Sequence, residues 1–289
     1  MLFDRNSITA RSYAKINLAL QITGIREDGY HYLRMVNLPI DLHDVIEINR
    51  DRMNSDVFIT CDDIGLSNAK KNLCHKAVDA LRAECKFKDG FTIAIHKDIP
   101  FAAGLGGGSS NAAAVLTSLN TMLKLGLSQD KLSEIGLTIG ADVPFFFRNK
   151  PAYVTGIGEK IEEIPVKKDY FCVIAKPDKG LSTVEIYGKC DNYSRKNINI
   201  DGVLEGLAKG DDQLIIDSMG NDLEEAAISL CPEIAELIRL FKKSGFGIAG
   251  MSGSGSSVFG LTTDLKKARD LERTLEKHDY TARLCKVLK

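Results

Sequence analysis

The fold is decided by the stretch Pro100-Phe-Ala-Ala-Gly-Leu-Gly-Gly-Gly-Ser-Ser-Asn-Ala-Ala-Ala114, where an alternating segment gives way to a helical one. Residues 91–95 alternate like a strand, and the residues behind the glycines repeat apolar side chains at helical spacing. Ser109 or Ser110 is placed to cap the first helical turn. We therefore predict a strand, a glycine loop and the start of a helix, in that order.

The four glycines of this loop favour a phosphate site. Glycine adopts positive φ and has no side chain that would keep a ligand away from the backbone. Consecutive N–H groups and the positive end of the following helix can then hold an anion, and a phosphate chain is the natural one. A flexible turn is the alternative, since glycine clusters are common in loops. The serines and alanines that lead straight into a helix favour the phosphate site.

Two familiar phosphate loops do not fit this stretch. A Walker A loop requires a lysine directly after its last glycine, and none follows here. A dinucleotide fingerprint counted from Gly104 puts Ser109 where the last glycine belongs. A second helical segment, at 128–139, then follows where such a fold would place its next parallel strand. Both assignments are therefore excluded.

A better match is the ATP-binding motif of the GHMP kinase superfamily, which this stretch resembles through its pattern Pro-x-x-x-Gly-Leu-Gly-Gly-Gly-Ser-Ser. Members of that superfamily phosphorylate small-molecule hydroxyls, so the resemblance implies ATP and Mg²⁺ as cofactors. No protein ligand of the metal is evident, and Ser110 is the best candidate. The residues implied in ATP binding are Pro100, Gly104, Leu105, Gly106, Gly107, Gly108, Ser109 and Ser110.

Length, composition and charge exclude several classes of protein. The 289 residues suit one large domain or two ordinary ones, with 44% hydrophobic and 27% charged residues. A net charge of −1 gives no electrostatic reason to expect a nucleic-acid or membrane partner. We therefore expect no nucleic acid and no membrane as partners. The superfamily resemblance implies a small-molecule substrate, and we expect a monomer or weak homodimer.

Cysteine usage and the N-terminus indicate the cytoplasm. The seven cysteines are scattered without metal-binding spacing, which predicts reduced thiols. Residues 1–6 lack the apolar core of a signal peptide, and no apolar run reaches about 20 residues. We expect a cytoplasmic protein.

An early strand is predicted at 12–22, with Lys15 and Asn17 projecting from the same face. Spacing alone leaves open that Lys15 is merely solvated. The segment Ala-Lys-Ile-Asn-Leu resembles the first GHMP motif, Ala-Lys-x-Asn-Leu. That resemblance implies a catalytic Lys15, with Asn17 among the substrate-binding residues.

The polar turn Gly24-Ile-Arg-Glu-Asp-Gly-Tyr-His31 resembles one member of the superfamily, whose substrate is a cytidylyl diphosphate of methylerythritol. The resemblance implies that Tyr30 stacks on the cytosine ring and that His31 reads its edge. A role in closing the loop is the alternative. A later stretch, 182–187, resembles the family's Ser/Thr-rich segment. It implies Thr183 in the substrate site and Tyr187 on the other face of the cytosine.

The sequence Gly140-Ala-Asp-Val-Pro-Phe-Phe-Phe147 places Asp142 between a helix end and an apolar segment that is predicted to be a proline-stiffened strand. Asp142 is thus expected to be partly desolvated, although a turn residue bonded to its own backbone is the alternative. The segment resembles the family's signature around its catalytic aspartate. The resemblance implies that Asp142 accepts the proton of a tertiary hydroxyl, while Lys15 keeps that carboxylate ionised.

The remaining motifs follow in the family's order. Residues 33–40 are predicted as a strand, residues 44–49 and 57–61 as short strands of a meander, and residues 153–161 as a hairpin. Asn72 is placed to cap a helix, and further helices are predicted to start at Ser128 and Asp264. Asn221-Asp-Leu-Glu224 matches a family motif. The glycine-serine loop at 250–259 matches the third GHMP motif, which is expected to pack near the first loop.

The resemblance implies an α/β (α+β), two-lobed GHMP kinase fold. The N-terminal lobe, 1–160, would be like ribosomal protein S5 domain 2 and the C-terminal lobe, 161–289, ferredoxin-like. The implied reaction is ATP-dependent phosphorylation of the 2-hydroxyl of the cytidylyl substrate, in non-mevalonate isoprenoid precursor synthesis.

Two alternatives remain to be weighed against this function. Another GHMP kinase, acting on mevalonate-type or amino-acid hydroxyls, is disfavoured by Tyr30-His31 and the segment at 140–144. A non-catalytic nucleotide-binding protein is disfavoured by the presence of both Lys15 and Asp142. The chain departs from the common pattern at Asn111, often an aspartate, and at Val184, where a proline can occur.

Overall fold

The computed structural model describes residues 6–62, 72–278 and 280–289. Residues 1–5 lie outside this part of the chain. They belong to the N-terminal segment from which the sequence predicts no signal peptide. The chain forms two compact units: unit 1 is Met1–Ala14, His43–Ile99 and Gly106–Asn149, and unit 2 is Lys15–Leu42, Pro100–Leu105 and Lys150–Lys289. The predicted mixed α/β class is confirmed, and the lobe boundary near Lys160 stays a prediction.

Two long strands, β1 (Ser7–Ile25) and β2 (His31–Asp51), have residues in both units. The other elements of unit 1 are β3 (Val57–Cys61), α1 (Leu73–Cys85), β4 (Gly90–His96), α2 (Gly107–Met122), α3 (Gln129–Ile139) and a 3-10 helix, Val143–Phe147. The predicted strand, glycine loop and helix are thus β4, the loop after it and α2.

Strand β4 is the middle strand of unit 1. It pairs antiparallel with the second half of β2 and parallel with β3, and its alternating apolar residues Phe91, Ile93 and Ile95 are buried as predicted. The predicted meander is wrong, because β4 lies between β2 and β3 in the sheet. Because the chain between β3 and β4 includes α1, it returns in the same direction, and a parallel pair results.

Strand β2 is longer than predicted. The sequence suggests a strand that ends near Pro39–Ile40 and a separate short one at 44–49, yet the two are continuous. Residues 33–37 pair with one neighbour and residues 45–51 with another. Pro39 lies between these two ladders, where its missing N–H removes no rung of either.

Three helices begin where the sequence predicts, after Asn72, Ser128 and Asp264. Asn72 Oδ1 accepts from the N–H of Cys74 at 2.9 Å, before α1. Ser128 Oγ accepts from the N–H of Lys131 at 3.2 Å, before α3. Each such bond satisfies one N–H group that the first helical turn leaves open. Asp264 does the same for the last helix.

Unit 2 contains a predicted hairpin and a second sheet with helices. Its elements are β5 (Ala152–Gly156), β6 (Lys160–Glu163), β7 (Phe171–Lys176), α4 (Thr183–Cys190), α5 (Ile200–Lys209), α6 (Asp212–Ser218), α7 (Glu224–Leu230), α8 (Glu233–Lys243), β8 (Ile248–Met251), β9 (Val258–Thr262), α9 (Leu265–Lys277) and β10 (Thr281–Lys286). The hairpin is β5–β6, as predicted.

The second sheet is antiparallel throughout, in the order β10-β7-β9-β8. The third motif, at 250–259, connects its neighbouring strands β8 and β9, as the flanking apolar segments indicate. All seven cysteines are free thiols, which agrees with the prediction. In the described part of the chain, no helix is both long and apolar enough to cross a lipid bilayer.

Candidate active site

Lys15 and Asn17 lie on β1 with only 3% and 1% of their surface exposed. The Lys15 ammonium donates to Asn17 Oδ1, and Asn17 Nδ2 donates onward to Asn37 Oδ1 at 2.7 Å. A buried ammonium is costly unless hydrogen bonds or a counter-charge compensate for lost water. The merely solvated lysine that the spacing leaves open is therefore excluded.

Asn37 is a polar residue that the sequence reading missed, because it stands in an apolar stretch of β2. It is 1% exposed, and its Nδ2 has no hydrogen-bond partner among the described residues. Leaving a buried donor unpaired costs about 1–3 kcal/mol. The amide is therefore available to an oxygen of a ligand or of water next to Asn17.

Ser252, in the third motif, connects β1 to the glycine loop inside unit 2. Its Oγ accepts from the backbone N–H of Asn17 at 3.1 Å and donates to the carbonyl of Gly104 at 2.9 Å. The backbone N–H of Lys15 donates to the carbonyl of Leu105 at 3.0 Å. The expectation that the third motif packs near the first loop is confirmed.

Two glycines permit this close approach. Gly104 has φ +72°, and a Cβ there would lie 2.0 Å from the carbonyl oxygen of Ser252. Gly253 has φ +55°, and its Cβ would lie 3.0 Å from Asn17 Oδ1. Both positions combine a left-handed backbone with backbone-to-backbone contact, so any side chain is excluded. Gly104 therefore serves the scaffold, whatever else it binds.

The motif Asn221-Asp-Leu-Glu224 also supports the third loop. Asn221 Nδ2 donates to the carbonyls of Met251 and Gly253, at 3.0 and 2.8 Å. Asp222 accepts from the backbone N–H of Ile22 at 2.8 Å. The two side chains thus fasten the third loop and β1 to the same turn, which gives this motif a physical role.

The start of α2 differs from the prediction. Gly106 is the N-cap residue, in a left-handed conformation with φ 73°, and no side chain caps the helix. Ser109 and Ser110 are instead inside the first turn, and Ser110 is buried. Because no side chain occupies the end of the helix, its first N–H groups remain open to an anion.

The other residues predicted to bind ATP lie on both sides of Gly106. Pro100 is half-buried at the start of the loop, and Leu105 is buried next to Gly106. Gly107 and Gly108 are the first two helical residues. A Cβ on Gly107 would lie 3.0 Å from Ile99 Cγ2, whereas one on Gly108 would meet only Leu73 Cδ1, at 3.6 Å. Gly108 is therefore the cleaner position for testing backbone access.

A buried polar cluster in unit 1 holds the segment that leads from β4 into the glycine loop. Asp44 is fully buried and accepts from the backbone N–H groups of Asp98 and Ile99, each at 2.9 Å. It also pairs with the Lys97 ammonium and accepts from Asn111 Nδ2 at 2.8 Å. An aspartate at 111 would put two carboxylates side by side, which explains this departure from the common pattern.

Asp142 lies in unit 1 between Gly140, which ends α3, and the 3-10 helix. The predicted strand is wrong here, because Pro144 at an N-terminal position favours a helical turn. Asp142 is half-buried, in agreement with the expected partial desolvation. A Cβ on Gly140 would lie 3.8 Å from Ser109 Oγ, so this turn borders the start of α2.

The residues predicted for the pyrimidine lie in unit 2. The rings of His31 and Tyr187 contact each other, with centroids 5.1 Å apart and planes at 41°. Tyr30 is 59% exposed, so its ring is accessible. Thr183 Oγ1 is 2.9 Å from Ser254 Oγ of the third motif. The structure thus brings His31 and Tyr187 together, although 155 residues separate them in the sequence.

His31 also belongs to the one group of three potential metal ligands found among the described residues, with Cys190 and Asp191. Burial raises the pKa of the Cys190 thiol, and its S–H donates to the carbonyl of Tyr187 at 3.1 Å. The Arg195 guanidinium already pairs with Asp191. Imidazole and thiol suit soft metals, whereas Mg²⁺ prefers oxygen ligands, so this cluster does not fit Mg²⁺.

Comparison with known proteins agrees with this geometry. The model of the GHMP kinases N terminal domain matches residues 72–150, and the model of the GHMP kinases C terminal domain matches residues 203–281. A Clostridium perfringens protein named 4-diphosphocytidyl-2-C-methyl-D-erythritol kinase is 40% identical over 273 residues, 94% of each chain.

Solved structures give the same result. A crystal structure of 4-(cytidine 5'-diphospho)-2C-methyl-D-erythritol kinase superposes with a TM-score of 0.80 at 28% identity, covering 98% of this chain and 100% of that one. A structure of homoserine kinase from Cytophaga hutchinsonii superposes with a TM-score of 0.79 at 19% identity. The match covers 100% of this chain and 96% of that one. That likeness shows the fold alone. The chain therefore belongs to the 4-diphosphocytidyl-2-C-methyl-D-erythritol kinase family of the GHMP kinases.

Proposed function

We propose that this chain transfers the γ-phosphate of ATP to the 2-hydroxyl of 4-diphosphocytidyl-2-C-methyl-D-erythritol, a step of non-mevalonate isoprenoid precursor synthesis in the cytoplasm. The observation that carries the proposal is the buried Lys15–Asn17 pair, tied through Ser252 to the glycine loop. It stands in a chain 40% identical over 94% of its length to a protein named for that substrate.

In the proposed mechanism, Asp142 accepts the proton of the substrate hydroxyl. Lys15 favours the ionised form of that carboxylate and offsets charge that develops on the transferred group, as a nearby cation does. Asn17 orients the Lys15 ammonium, to which its Oδ1 is hydrogen bonded. Phosphoryl transfer needs little covalent help from a protein, so positioning and charge carry most of the catalysis.

ATP is proposed to bind with its phosphates on the loop from Pro100 to Ser110. The first turn of α2, which follows the left-handed Gly106 and has no side-chain cap, supports this placement. Mg²⁺ would enter with the nucleotide, where it neutralises phosphate charge. The three-residue cluster of potential ligands, His31 with Cys190 and Asp191, does not suit it, so no step is assigned to the metal.

A coupled assay of ADP release tests the function as a whole. Turnover with the cytidylyl substrate is expected to exceed turnover with mevalonate or homoserine, the hydroxyl compounds of two other kinases with this fold. Equal turnover of all three, or a preference for either of the others, would leave only an unspecified GHMP kinase.

Gly108→Val tests the phosphate loop. A branched side chain should obstruct N–H groups that hold charged oxygens, and each such hydrogen bond contributes about 1.5–3 kcal/mol. We expect ATP binding to weaken about 10- to 150-fold and binding of the cytidylyl substrate to change little. Calorimetric titration of each ligand measures both.

Gly104→Ala is the control for the scaffold, because a Cβ there collides with Ser252. It should lower the melting temperature and weaken both ligands. If Gly108→Val does the same, the glycines of α2 also serve the scaffold, and the phosphate placement is wrong.

Tyr30→Ala and Tyr187→Ala test the pyrimidine contacts. Stacking of an aromatic side chain on a base contributes about 1–3 kcal/mol, so each variant should weaken the cytidylyl substrate by about 5- to 150-fold. Tyr→Phe at either position keeps the ring and should be mild. Titration with ATP serves as the control, and a loss of ATP binding in the alanine variants would refute a role confined to the pyrimidine.

A further inference from the structure

The His31 side chain, at the start of β2, is held by an acidic residue outside every motif recognised in the sequence. Its Nε2 lies 3.1 Å from Oδ2 and 3.3 Å from Oδ1 of Asp191, the residue that ends α4. The His31 side chain is 8% exposed, and the Tyr187 ring covers it at 5.1 Å. Asp191 therefore hydrogen bonds to Nε2 of His31 and leaves Nδ1 for another partner.

The second partner of the carboxylate keeps it in place and ionised. Arg195, one turn further along, pairs with Asp191 Oδ1 and also donates to the carbonyl of Cys190 at 3.4 Å. Burial raises the pKa of the Asp191 carboxyl, but hydrogen bonds from His31 and Arg195 outweigh this and hold the pKa below its ordinary value. Asp191 thus remains an acceptor of hydrogen bonds.

An ionised carboxylate can only accept, so the nitrogen facing it carries the proton. In a neutral imidazole the other nitrogen then has a lone pair and accepts. We propose that Asp191 is a positioning residue that fixes His31 with its proton on Nε2 and a lone pair on Nδ1, and thereby selects cytosine over uracil. This inference rests on the proposed function, in which His31 reads the edge of the base.

The selection follows from the two bases. Cytosine presents an exocyclic amine that donates, whereas uracil presents a carbonyl oxygen at the same position, which accepts. An Nδ1 lone pair is complementary to the amine and repels the carbonyl. With the opposite tautomer, Nδ1–H would favour uracil. One carboxylate behind the histidine therefore decides which pyrimidine is accepted.

The test compares three variants. Asp191→Leu removes the acceptor at similar size, Asp191→Asn can still present an oxygen to Nε2, and Glu205→Leu removes an exposed carboxylate on α5 that pairs with Lys209 instead. The measurement is the ratio of kcat/KM for the cytidylyl substrate to that for its uridylyl analogue. We expect about a tenfold fall for Asp191→Leu, on the scale of one mismatched base contact.

Asp191→Asn should retain most of the ratio and Glu205→Leu all of it, with the KM for ATP unchanged in each variant. In a His31→Ala background, Asp191→Leu should add no further loss. The positioning role would be overturned if Asp191→Leu left the ratio unchanged. It would also be overturned if Asp191→Leu lowered the ratio as much in the His31→Ala background as in the wild type.

A second measurement does not depend on activity. In protein labelled with ¹⁵N-histidine, the ring nitrogens of His31, assigned with a His31→Gln variant, should show the proton on Nε2 and none on Nδ1. A proton on Nδ1 would overturn the inference. Wild-type protein that uses both substrates equally, with the tautomer as expected, would instead refute the proposed reading of cytosine by His31.

Discussion

Asp142→Asn is expected to lower turnover by about 10²–10⁴-fold, the usual loss when a general base is removed. The amide keeps the shape of the side chain and cannot accept the hydroxyl proton. Because Asp142 is half-buried and the change is isosteric, we expect the melting temperature and the affinity for ATP to stay close to wild type. Single-turnover kinetics with saturating ATP separate the chemical step from binding.

Asp130→Asn is a matched control, since Asp130 is an exposed aspartate in the first turn of α3, the helix before Asp142. It should leave turnover unchanged. If Asp142→Asn also turns over at close to the wild-type rate, Asp142 has no part in the chemistry. The turn-residue interpretation of this position would then be correct.

Asp44→Leu is expected to reduce the free energy of unfolding by about 3–5 kcal/mol, because removing one partner of a buried ion pair leaves an uncompensated charge. The side chains of Lys97 and Asp44 are 10% and 0% exposed, so solvent screens the pair little. The backbone N–H groups of Asp98 and Ile99 lose their acceptor as well. Urea denaturation measures the change.

The double variant Asp44→Leu/Lys97→Met should recover part of this loss, since no buried charge then remains unpaired. Recovery is expected to be incomplete because the two N–H groups stay without a partner. A double variant that is less stable than Asp44→Leu, or a single variant within about 0.5 kcal/mol of wild type, would contradict this account of the cluster.

Local patterns predict much of this fold. The alternation at 91–95, the capping residue Asn72 and the turn before His31 each depend on neighbours in sequence, and each is found as predicted. The start of α2 is an instructive failure. Side-chain capping rules select Ser109 or Ser110, whereas a left-handed glycine, Gly106, begins the helix earlier without any side-chain bond.

Pairings between distant segments could not be predicted in this way. The parallel pair β3–β4 depends on a crossover, and the long strand β2 depends on two different neighbours on either side of Pro39. Neither is visible in the alternation of a single segment. The sequence therefore indicates strands here without their partners or their full length.

The candidate site shows the same limit. Motifs recognisable in the sequence supply Lys15, the glycine loop and His31, while the residues that hold them do not stand out. Ser252 is one serine in a glycine-serine turn, and Asp191 is a single acidic residue after a helix. Their importance follows only from the atoms they contact, at separations of 148 and 160 residues.

The γ-phosphate of ATP is expected to reach a single hydroxyl of the cytidylyl substrate. The most direct measurement incubates the chain with the cytidylyl substrate and ATP labelled with ¹⁸O in its γ-phosphate, and follows the products by ³¹P NMR and mass spectrometry. We predict one new phosphomonoester, carrying the label, on the tertiary carbon of the methylerythritol. Label released only as inorganic phosphate, or found on another hydroxyl, would contradict the account.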